Sequence, residues 1–210
     1  QEVQRGIADS FLIAEDFIQN DSVALILGDN IFHGQGFKTT LREVVEKNNG
    51  ATVFGYQVQD PERFGVVEFD ENHKAVSLEE KPIKPKSNYA VTGLYFYDNK
   101  VVEYAKTLKP SLRGELEITD LNKIYLKNNK LNVELLGRGF AWLDTGTFES
   151  LLQASNFVHS MEINTGMKIA AIEEVAARMG YISKDKLLEL SKKYKQNGYG
   201  KYLEKISELI

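Results

Sequence analysis

The stretch Val23-Ala24-Leu25-Ile26-Leu27-Gly28-Asp29-Asn30 decides the fold, because an unbroken apolar run ends abruptly at a glycine and a carboxylate. A run of this length between turn residues predicts a strand that is buried on both faces of a parallel sheet. Ligands of open α/β sheets bind beyond the carboxyl ends of the strands. Asp29 therefore lies where a ligand or a metal ion would bind, the alternative being that it only caps the next helix.

A second segment ends in the same way. Residues 139–147, GFAWLDTGT, carry a short apolar and aromatic run into Asp144, and a helical pattern begins near Phe148. If the two strands are neighbours, Asp29 and Asp144 can share one Mg²⁺ ion, which prefers oxygen ligands and takes one or two carboxylates plus substrate phosphates. Such a metal site suits phosphoryl or nucleotidyl transfer.

A third segment, residues 77–82 with the sequence SLEEKP, places two charged side chains at a loop edge. Pro82 ends the preceding strand, because it lacks a backbone donor and restricts the residue before it. Lys81 is a compact cation that can hold a phosphate, and Glu80 can accept hydrogen bonds from sugar hydroxyls. The alternative is a solvated charged turn, the commoner role of surface charges.

Helix and strand patterns alternate along the chain and predict a three-layer, Rossmann-like α/β fold, with a mainly parallel sheet flanked by helices. The character then changes, so that residues 1–147 are predicted to form the α/β core and residues 148–210 a helical extension. Apolar stripes on this extension would favour subunit contact in a homo-oligomer. The alternative is that the helices pack only within their own domain.

The composition limits the class of protein. With 210 residues, of which 42% are hydrophobic and 27% charged, the chain can bury a sizeable core. Its net charge of -4 provides no basic field for nucleic acid. No apolar run approaches the roughly 18 residues of a membrane span. The absence of cysteine excludes disulfide and thiolate chemistry and favours a cytoplasmic protein. The three histidines are not spaced as pairs of metal ligands, which argues against a zinc site.

Five segments of the chain resemble motifs of the glucose-1-phosphate thymidylyltransferases and occur in the order found in that family. They are LGDNIF at 27–32, PERFGVVE at 61–68, LEEKP at 78–82, RGELEITD at 113–120 and WLDTGT at 142–147. The resemblance covers nearly the whole chain. It implies a nucleotidyltransferase fold and a homotetramer. It also implies Mg²⁺-dependent transfer from dTTP to α-D-glucose 1-phosphate, which yields dTDP-glucose and pyrophosphate on the route to dTDP-rhamnose-type sugars.

The resemblance also implies roles for individual residues. By position in the family motifs, Asp29 and Asp144 match the Mg²⁺ ligands, and Lys81 would neutralise phosphate charge with the metal. The substrate-binding positions are Gln1 and Gly6 for the thymine base, Gly65, Glu80, Lys81 and Val91 for the sugar-phosphate pocket, and Tyr95, Thr119 and Trp142 for its walls. Phe64 stands where family members often have tyrosine, which suggests a looser sugar preference.

One departure concerns the start of the chain. The family begins with a strand and a glycine-rich loop carrying an arginine and, later, a lysine, and these wrap the triphosphate. This sequence begins at Gln1 without such a segment, so it is expected to lack the first βα units. Because that loop would supply N–H groups and cations for the phosphates, residues 1–210 alone are expected to be weakly active or inactive. Two alternatives remain open, a nucleotidyltransferase for UTP, CTP or ATP and a non-catalytic sugar-nucleotide-binding subunit.

Overall fold

The computed structural model describes residues 3–72, 74–194 and 196–210. The chain divides into two compact units, Gln1–Thr145 and Gly146–Ile210. None of the helices in the described ranges combines the length and the apolarity that a membrane crossing requires.

The first unit alternates strands and helices. In chain order its elements are α1 Asp9–Ile13, α2 Glu15–Ile18, β1 Val23–Ile26, β2 Asn30–Gly34, α3 Phe37–Lys47, β3 Ala51–Gln57, a 3₁₀ turn Pro61–Arg63, β4 Gly65–Phe69, β5 Ala75–Glu80, β6 Tyr89–Tyr97, α4 Val101–Thr107, α5 Ile118–Lys127, β7 Leu131–Leu136 and β8 Phe140–Asp144.

The main sheet of this unit has six strands in the order β5-β4-β6-β3-β7, with β1 also paired to β6. Tyr97 of β6 pairs with Ala51 of β3 and with Val23 of β1, so β1 and β3 lie on opposite edges of β6. Both run antiparallel to β6, whereas β7 runs parallel to β3. Strands β1, β3 and β7 therefore share one direction, and β6 runs against them.

The α/β fold class is confirmed, but the sheet is mixed rather than mainly parallel. Strands β1 and β3, which are connected through α3, do share a direction, as the alternation of patterns predicts for crossover connections, whereas β6 and β7, which are connected through α4 and α5, run in opposite directions. The other ladders are antiparallel because β6 lies between β1 and β3, and because a short turn joins β4 to β5. In that turn the Asp70 Oδ1 atom accepts hydrogen bonds from the backbone N–H groups of Asn72 and Lys74, both at 2.9 Å.

The burial of β1 also differs from its prediction. Its residues alternate between half-buried and exposed, and the Ile26 side chain is 59% exposed. The apolar run is therefore not covered on both faces within the described chain. Leu25 packs against the core, while Ala24 and Ile26 face the opposite side.

Helices cover both faces of the sheet. One hydrophobic core joins Phe11 of α1 and Tyr125 of α5 to Val53 of β3. A second core joins Val44 of α3 to Phe54, the residue that follows Val53 in β3. Because successive residues of a strand face opposite sides, the two cores lie on opposite faces, which gives a three-layer arrangement. Complete burial of each large apolar side chain contributes about 1.5–3 kcal/mol to folding.

The second unit is helical, with α6 Phe148–Thr165, α7 Ile172–Arg178, α8 Lys184–Lys193 and α9 Gly198–Leu209. A capping box between Thr147 and Ser150 begins α6, and Gly166 ends it with a left-handed φ of 66°. The core contains Leu187 of α8 together with Leu203 and Ile206 of α9. Phe148 at the start of α6 is 90% exposed.

Candidate active site

A cleft of about 600 Å³ in the first unit collects the residues that the sequence singled out. Of the eleven predicted site residues, Gln1 lies outside the described residues, and the structure places the other ten along this cleft. They are Gly6, Asp29, Gly65, Glu80, Lys81, Val91, Tyr95, Thr119, Trp142 and Asp144. A larger groove of about 1110 Å³ beside β7 contains none of them. Residues from widely separated parts of the chain thus meet at one place.

The two aspartates meet through a separate two-stranded sheet formed by β2 and β8, which the sequence did not predict. Its strands are antiparallel, with Asn30 opposite Asp144. The backbone oxygen of Asp29 accepts two hydrogen bonds from Thr145, one from the backbone N–H and one from Oγ1, both at 2.9 Å. The pairing therefore places Asp29, which directly precedes β2, close to Asp144, the last residue of β8, at the same end of the β2–β8 sheet.

Asn30 connects this sheet to the rest of the cleft. Its Oδ1 atom accepts hydrogen bonds from the Gly93 backbone N–H at 3.0 Å and from Trp142 Nε1 at 2.6 Å. Its Nδ2 atom donates to Asp29 Oδ1 at 2.8 Å. A Cβ on Gly93 would lie only 2.5 Å from Asn30 Oδ1, so the contact with β6 requires glycine there.

The chemistry of the two carboxylates fits Mg²⁺. Asp29 is exposed and Asp144 half-buried, and both line the cleft. Two carboxylates supply hard oxygen donors in the number that Mg²⁺ uses when substrate phosphates complete its coordination. Within the described ranges, no group of three or more histidine, cysteine, aspartate or glutamate side chains is arranged to hold a metal ion.

Glu80 ends β5 with its carboxylate held in place. Thr119 Oγ1 donates a hydrogen bond to Glu80 Oε2 at 2.5 Å. Gly65 pairs with Glu80 across the β4–β5 ladder. A Cβ at position 65 would lie 2.9 Å from Thr119 Oγ1 and 3.4 Å from Glu80 Oε2. The absence of a side chain on Gly65 therefore keeps open the space around the Glu80 carboxylate.

Lys81 follows Glu80 with a left-handed backbone, at φ 43°. This conformation costs a residue other than glycine about 1–3 kcal/mol. The Lys81 N–H donates to the Phe64 backbone oxygen at 2.9 Å, which helps to hold the turn. Among the described residues, no carboxylate forms a salt bridge with the exposed ammonium group of Lys81. This turn presents a cation beside Glu80.

Two arginines of the cleft were missed as individual site residues. Arg63 donates to Asp60 at 2.8 Å, and this hydrogen bond, followed by the charges of Asp60 and Asp144, raises the pKa of its guanidinium. Arg113 Nη2 donates hydrogen bonds to both carboxylate oxygens of the buried Glu117, at 2.9 Å and 2.8 Å. Arg63 lies in the motif PERFGVVE, and Arg113 lies in the motif RGELEITD. Their capacity for bidentate bonds to carboxylate or phosphate is the signal that could have identified them.

Aromatic side chains form one wall of the cleft. The rings of Phe64 and Trp142 lie 5.1 Å apart, and the Arg63 guanidinium carbon lies 5.2 Å from the centre of the Phe64 ring. Tyr95 is 4% exposed, and burial, followed by the charges of Glu80 and Asp29, raises the pKa of its hydroxyl. Tyr95 therefore stays neutral beside these carboxylates over the ordinary pH range.

Gly6 has a structural requirement of its own. Its φ of 94° favours glycine, and a Cβ there would lie 2.5 Å from the Leu116 backbone oxygen. Close packing of the chain on Leu116 thus accounts for the residue type, while its position along the cleft is compatible with the predicted approach of a base.

Comparison with known proteins places the chain in a family. A family model described as nucleotidyl transferase matches residues 1–161. The glucose-1-phosphate thymidylyltransferase of Neisseria meningitidis serogroup A is 59% identical over 198 residues, which cover 94% of this chain and 69% of the relative. The chain belongs to the glucose-1-phosphate thymidylyltransferase family. A thymidylyltransferase of Xanthomonas campestris is 52% identical over 203 residues, or 97% of this chain and 69% of that protein.

Two solved structures share the fold over about three quarters of this chain. A Bacillus anthracis protein described as a glucose-1-phosphate thymidylyltransferase, crystallised with a sucrose, matches with a TM-score of 0.67 and 46% identity. That match covers 75% of this chain and 62% of the Bacillus chain. A UDP-glucose pyrophosphorylase complexed with UDP-glucose has a TM-score of 0.69 at 22% identity, which supports the fold alone. The family and fold predicted from the motifs are thereby confirmed.

Proposed function

We propose that the protein transfers a nucleotidyl group from dTTP to α-D-glucose 1-phosphate and releases pyrophosphate. The names of its relatives support this reaction. The observation that carries it is the β2–β8 pairing, which brings Asp29 and Asp144 into one cleft with Glu80 and Lys81. This transfer requires acidic oxygens that bind a cation, a lysine that binds phosphate, and a carboxylate that accepts hydrogen bonds from sugar hydroxyls.

In the proposed reaction, a phosphate oxygen of glucose 1-phosphate attacks the α-phosphorus of dTTP in line with the leaving group. The new P–O bond forms dTDP-glucose, and the bond to the bridging oxygen of pyrophosphate breaks. No covalent intermediate with the protein is needed. Asp29 and Asp144 would hold Mg²⁺, which when bound neutralises charge on the phosphates.

The remaining side chains bind and orient the substrates. Lys81 places its ammonium group against phosphate oxygens as a point charge. Thr119 fixes the Glu80 carboxylate at 2.5 Å, so that its lone pairs can accept hydrogen bonds from sugar hydroxyls. Val91, Tyr95 and Trp142 exclude water along the wall of the cleft. Gly6 and Gln1 remain the predicted contacts of the thymine base.

Several finer features belong to this proposal. The chain spans 69% of the length of the curated relatives named above, so the activity proposed is that of the whole gene product. Four further features remain predictions: weak activity of residues 1–210 alone, a homotetramer assembled through residues 148–210, a cytoplasmic location, and a role early in dTDP-rhamnose-type synthesis.

The test is turnover and nucleotide choice by the purified full-length gene product. Pyrophosphate release is measured with glucose 1-phosphate and, in separate assays, dTTP, UTP, CTP or ATP. Isothermal titration with the same four nucleotides follows binding independently. We expect the highest kcat/KM with dTTP. A higher value with another nucleotide would favour a different nucleotidyltransferase. Binding of sugar nucleotide without turnover would favour a non-catalytic subunit.

A further inference from the structure

Asn30 occupies a junction of three strands. It is the first residue of β2, and its side chain reaches Gly93 in β6 and Trp142 in β8. In the β2–β8 ladder it pairs with Asp144, and in sequence it follows Asp29. Asn30 is therefore adjacent to both predicted metal ligands, although its place in the LGDNIF motif alone assigns it no role.

The donors around Asn30 determine how its amide is oriented. A peptide N–H and an indole N–H can only donate, so the amide atom that receives both must be the oxygen. The NH₂ end is then turned to the other side, where the Asp29 carboxylate accepts from it at 2.8 Å. The orientation of this amide thus follows from the chemistry of Gly93 and Trp142.

We propose that Asn30 is a positioning residue that holds the Asp29 carboxylate in its metal-binding orientation. This inference rests on the proposed function. Thr145 already fixes the backbone oxygen of Asp29 with two hydrogen bonds. Asn30 adds a bond to the side chain, so both the main chain and the carboxylate of Asp29 are held. Partners that orient metal-binding carboxylates typically contribute about 10–100-fold to metal affinity or activity.

Two substitutions at position 30 test the acceptor oxygen and the NH₂ donor of the amide separately. Asn30→Ala removes both the acceptor oxygen and the NH₂ donor. Asn30→Asp keeps an oxygen for Gly93 and Trp142 but replaces the donor with an oxygen that repels the Asp29 carboxylate. Asn99→Ala, at an exposed position after β6, is the matched control. If Asn30→Ala fails to fold, Asn30→Asp keeps the test possible because it preserves the ties to β6 and β8.

Three measurements are made on the full-length protein. Trp142 is the only tryptophan of residues 1–210, and a Trp142→Phe variant of the full-length protein identifies its indole N–H among the side-chain NMR signals. We expect this signal to move upfield in Asn30→Ala and to stay near its parent position in Asn30→Asp. Mn²⁺ binding, followed by electron paramagnetic resonance, should weaken at least about tenfold in Asn30→Ala. In both variants kcat should fall at least about tenfold, with the KM for glucose 1-phosphate within about twofold of the parent value.

The inference is overturned if Asn30→Asp retains the parent kcat, because the NH₂ donor would then be dispensable. It is also overturned if Asn30→Ala lowers only the melting temperature and leaves Mn²⁺ binding unchanged, since this outcome marks a purely structural residue. If the parent protein shows no turnover, the proposed function fails. The NMR and Mn²⁺ measurements still decide the role of Asn30.

Discussion

Two pairs of carboxylates, one in each unit, show how different environments use the same chemical group. Asp29 and Asp144 are distant in sequence, become neighbours through strand pairing and line a cleft. Glu173 and Glu174 are adjacent in α7, and each accepts a hydrogen bond from a tyrosine hydroxyl, Tyr199 and Tyr202 respectively. The first pair lines the cleft of the candidate active site, whereas each member of the second pair accepts a hydrogen bond from a donor of its own unit.

This difference shows that burial and hydrogen-bond donors, rather than residue type, distinguish a structural carboxylate from a candidate functional carboxylate. Glu174 is 7% exposed and is bound by Arg178 at 2.7 Å as well as by Tyr202. Its charge is therefore compensated within the fold. Asp29 is exposed, and its carboxylate accepts a hydrogen bond from Asn30 while remaining open to the cleft. Substitutions should affect activity at the first pair and stability at the second.

The largest expected effect is at the cleft pair. Asp29→Asn or Asp144→Asn should lower kcat/KM of the full-length protein by about 10³-fold, because loss of one preorganised electrostatic group costs up to about 4 kcal/mol. The melting temperature should change little. The measurement is steady-state pyrophosphate release, with Asp21→Asn at an exposed bend as the control. If either cleft variant turned over as fast as the parent protein, the functional role assigned to the first pair of carboxylates would be wrong.

At the second pair, Glu174→Ala should act on stability instead. It leaves the half-exposed Arg178 without its ion pair and the buried Tyr202 hydroxyl without its acceptor, and a hydrogen-bonding group left unsatisfied in this way costs about 1–3 kcal/mol. Urea unfolding followed by circular dichroism measures this loss, and kcat per folded molecule should match the parent. Glu204→Ala, at an exposed position on α9, is the control. A selective loss of kcat in Glu174→Ala would contradict the division of roles.

Gly65→Ala sharpens the comparison on the cleft side. The added Cβ would approach Thr119 Oγ1 to 2.9 Å, so the Thr119 hydroxyl must shift, and this disturbs the hydrogen bond that it donates to the Glu80 carboxylate. We expect the KM for glucose 1-phosphate to rise about tenfold, equivalent to about 1.4 kcal/mol. The KM for dTTP should change less. Equal changes in both constants would show that Gly65 does not act through Glu80.

Phe64→Tyr tests whether the missing hydroxyl matters for sugar choice. A new hydrogen bond to the sugar would contribute about 0.5–1.5 kcal/mol, or roughly 2–10-fold in kcat/KM. The ratios of kcat/KM for the 1-phosphates of glucose, galactose and 2-deoxyglucose should therefore become more selective in the variant. Unchanged ratios would refute the looser preference assigned to Phe64.

The smallest expected effect is a loss of stability of the second unit at alkaline pH. Burial, followed by the hydrogen bond to Glu174, raises the pKa of the Tyr202 hydroxyl. Above the usual tyrosine value of about 10, the unfolded chain releases this proton while the folded chain retains it, so stability should fall as pH rises beyond that value. Circular dichroism between pH 8 and pH 12 follows the loss. Tyr202→Phe should flatten this part of the profile, and a profile identical to the parent would contradict the linkage.

The sequence carried much of the local structure and most of the candidate site. The alternation of small and aromatic residues over 89–97 predicts a strand, and this strand coincides with β6; the strand that the sequence predicts at 131–136 coincides with β7. Alternation of side chains in a strand depends on neighbours in the chain, which explains this agreement. Strand β2 escaped prediction because Asn30, His33 and Gly34 interrupt its apolar pattern.

Motif positions predicted which residues line the cleft but not how they are connected. The shared order of five segments located Asp29, Glu80, Lys81 and Asp144, and the structure brings them to one cleft. The junction at Asn30 could not be predicted, because its partners Gly93 and Trp142 come from distant strands. No local pattern encodes a hydrogen bond across 112 residues.

The sequence by itself determined the family, the α/β class and the residue types available for chemistry, because these follow from local patterns and ordered motifs. Only the tertiary structure decided the direction of the strands and the pairing of β2 with β8. Strand partners are selected by the burial and hydrogen bonding of the whole unit, which no single segment contains. Two aspartates separated along the chain therefore become neighbours through the folding of the residues between them.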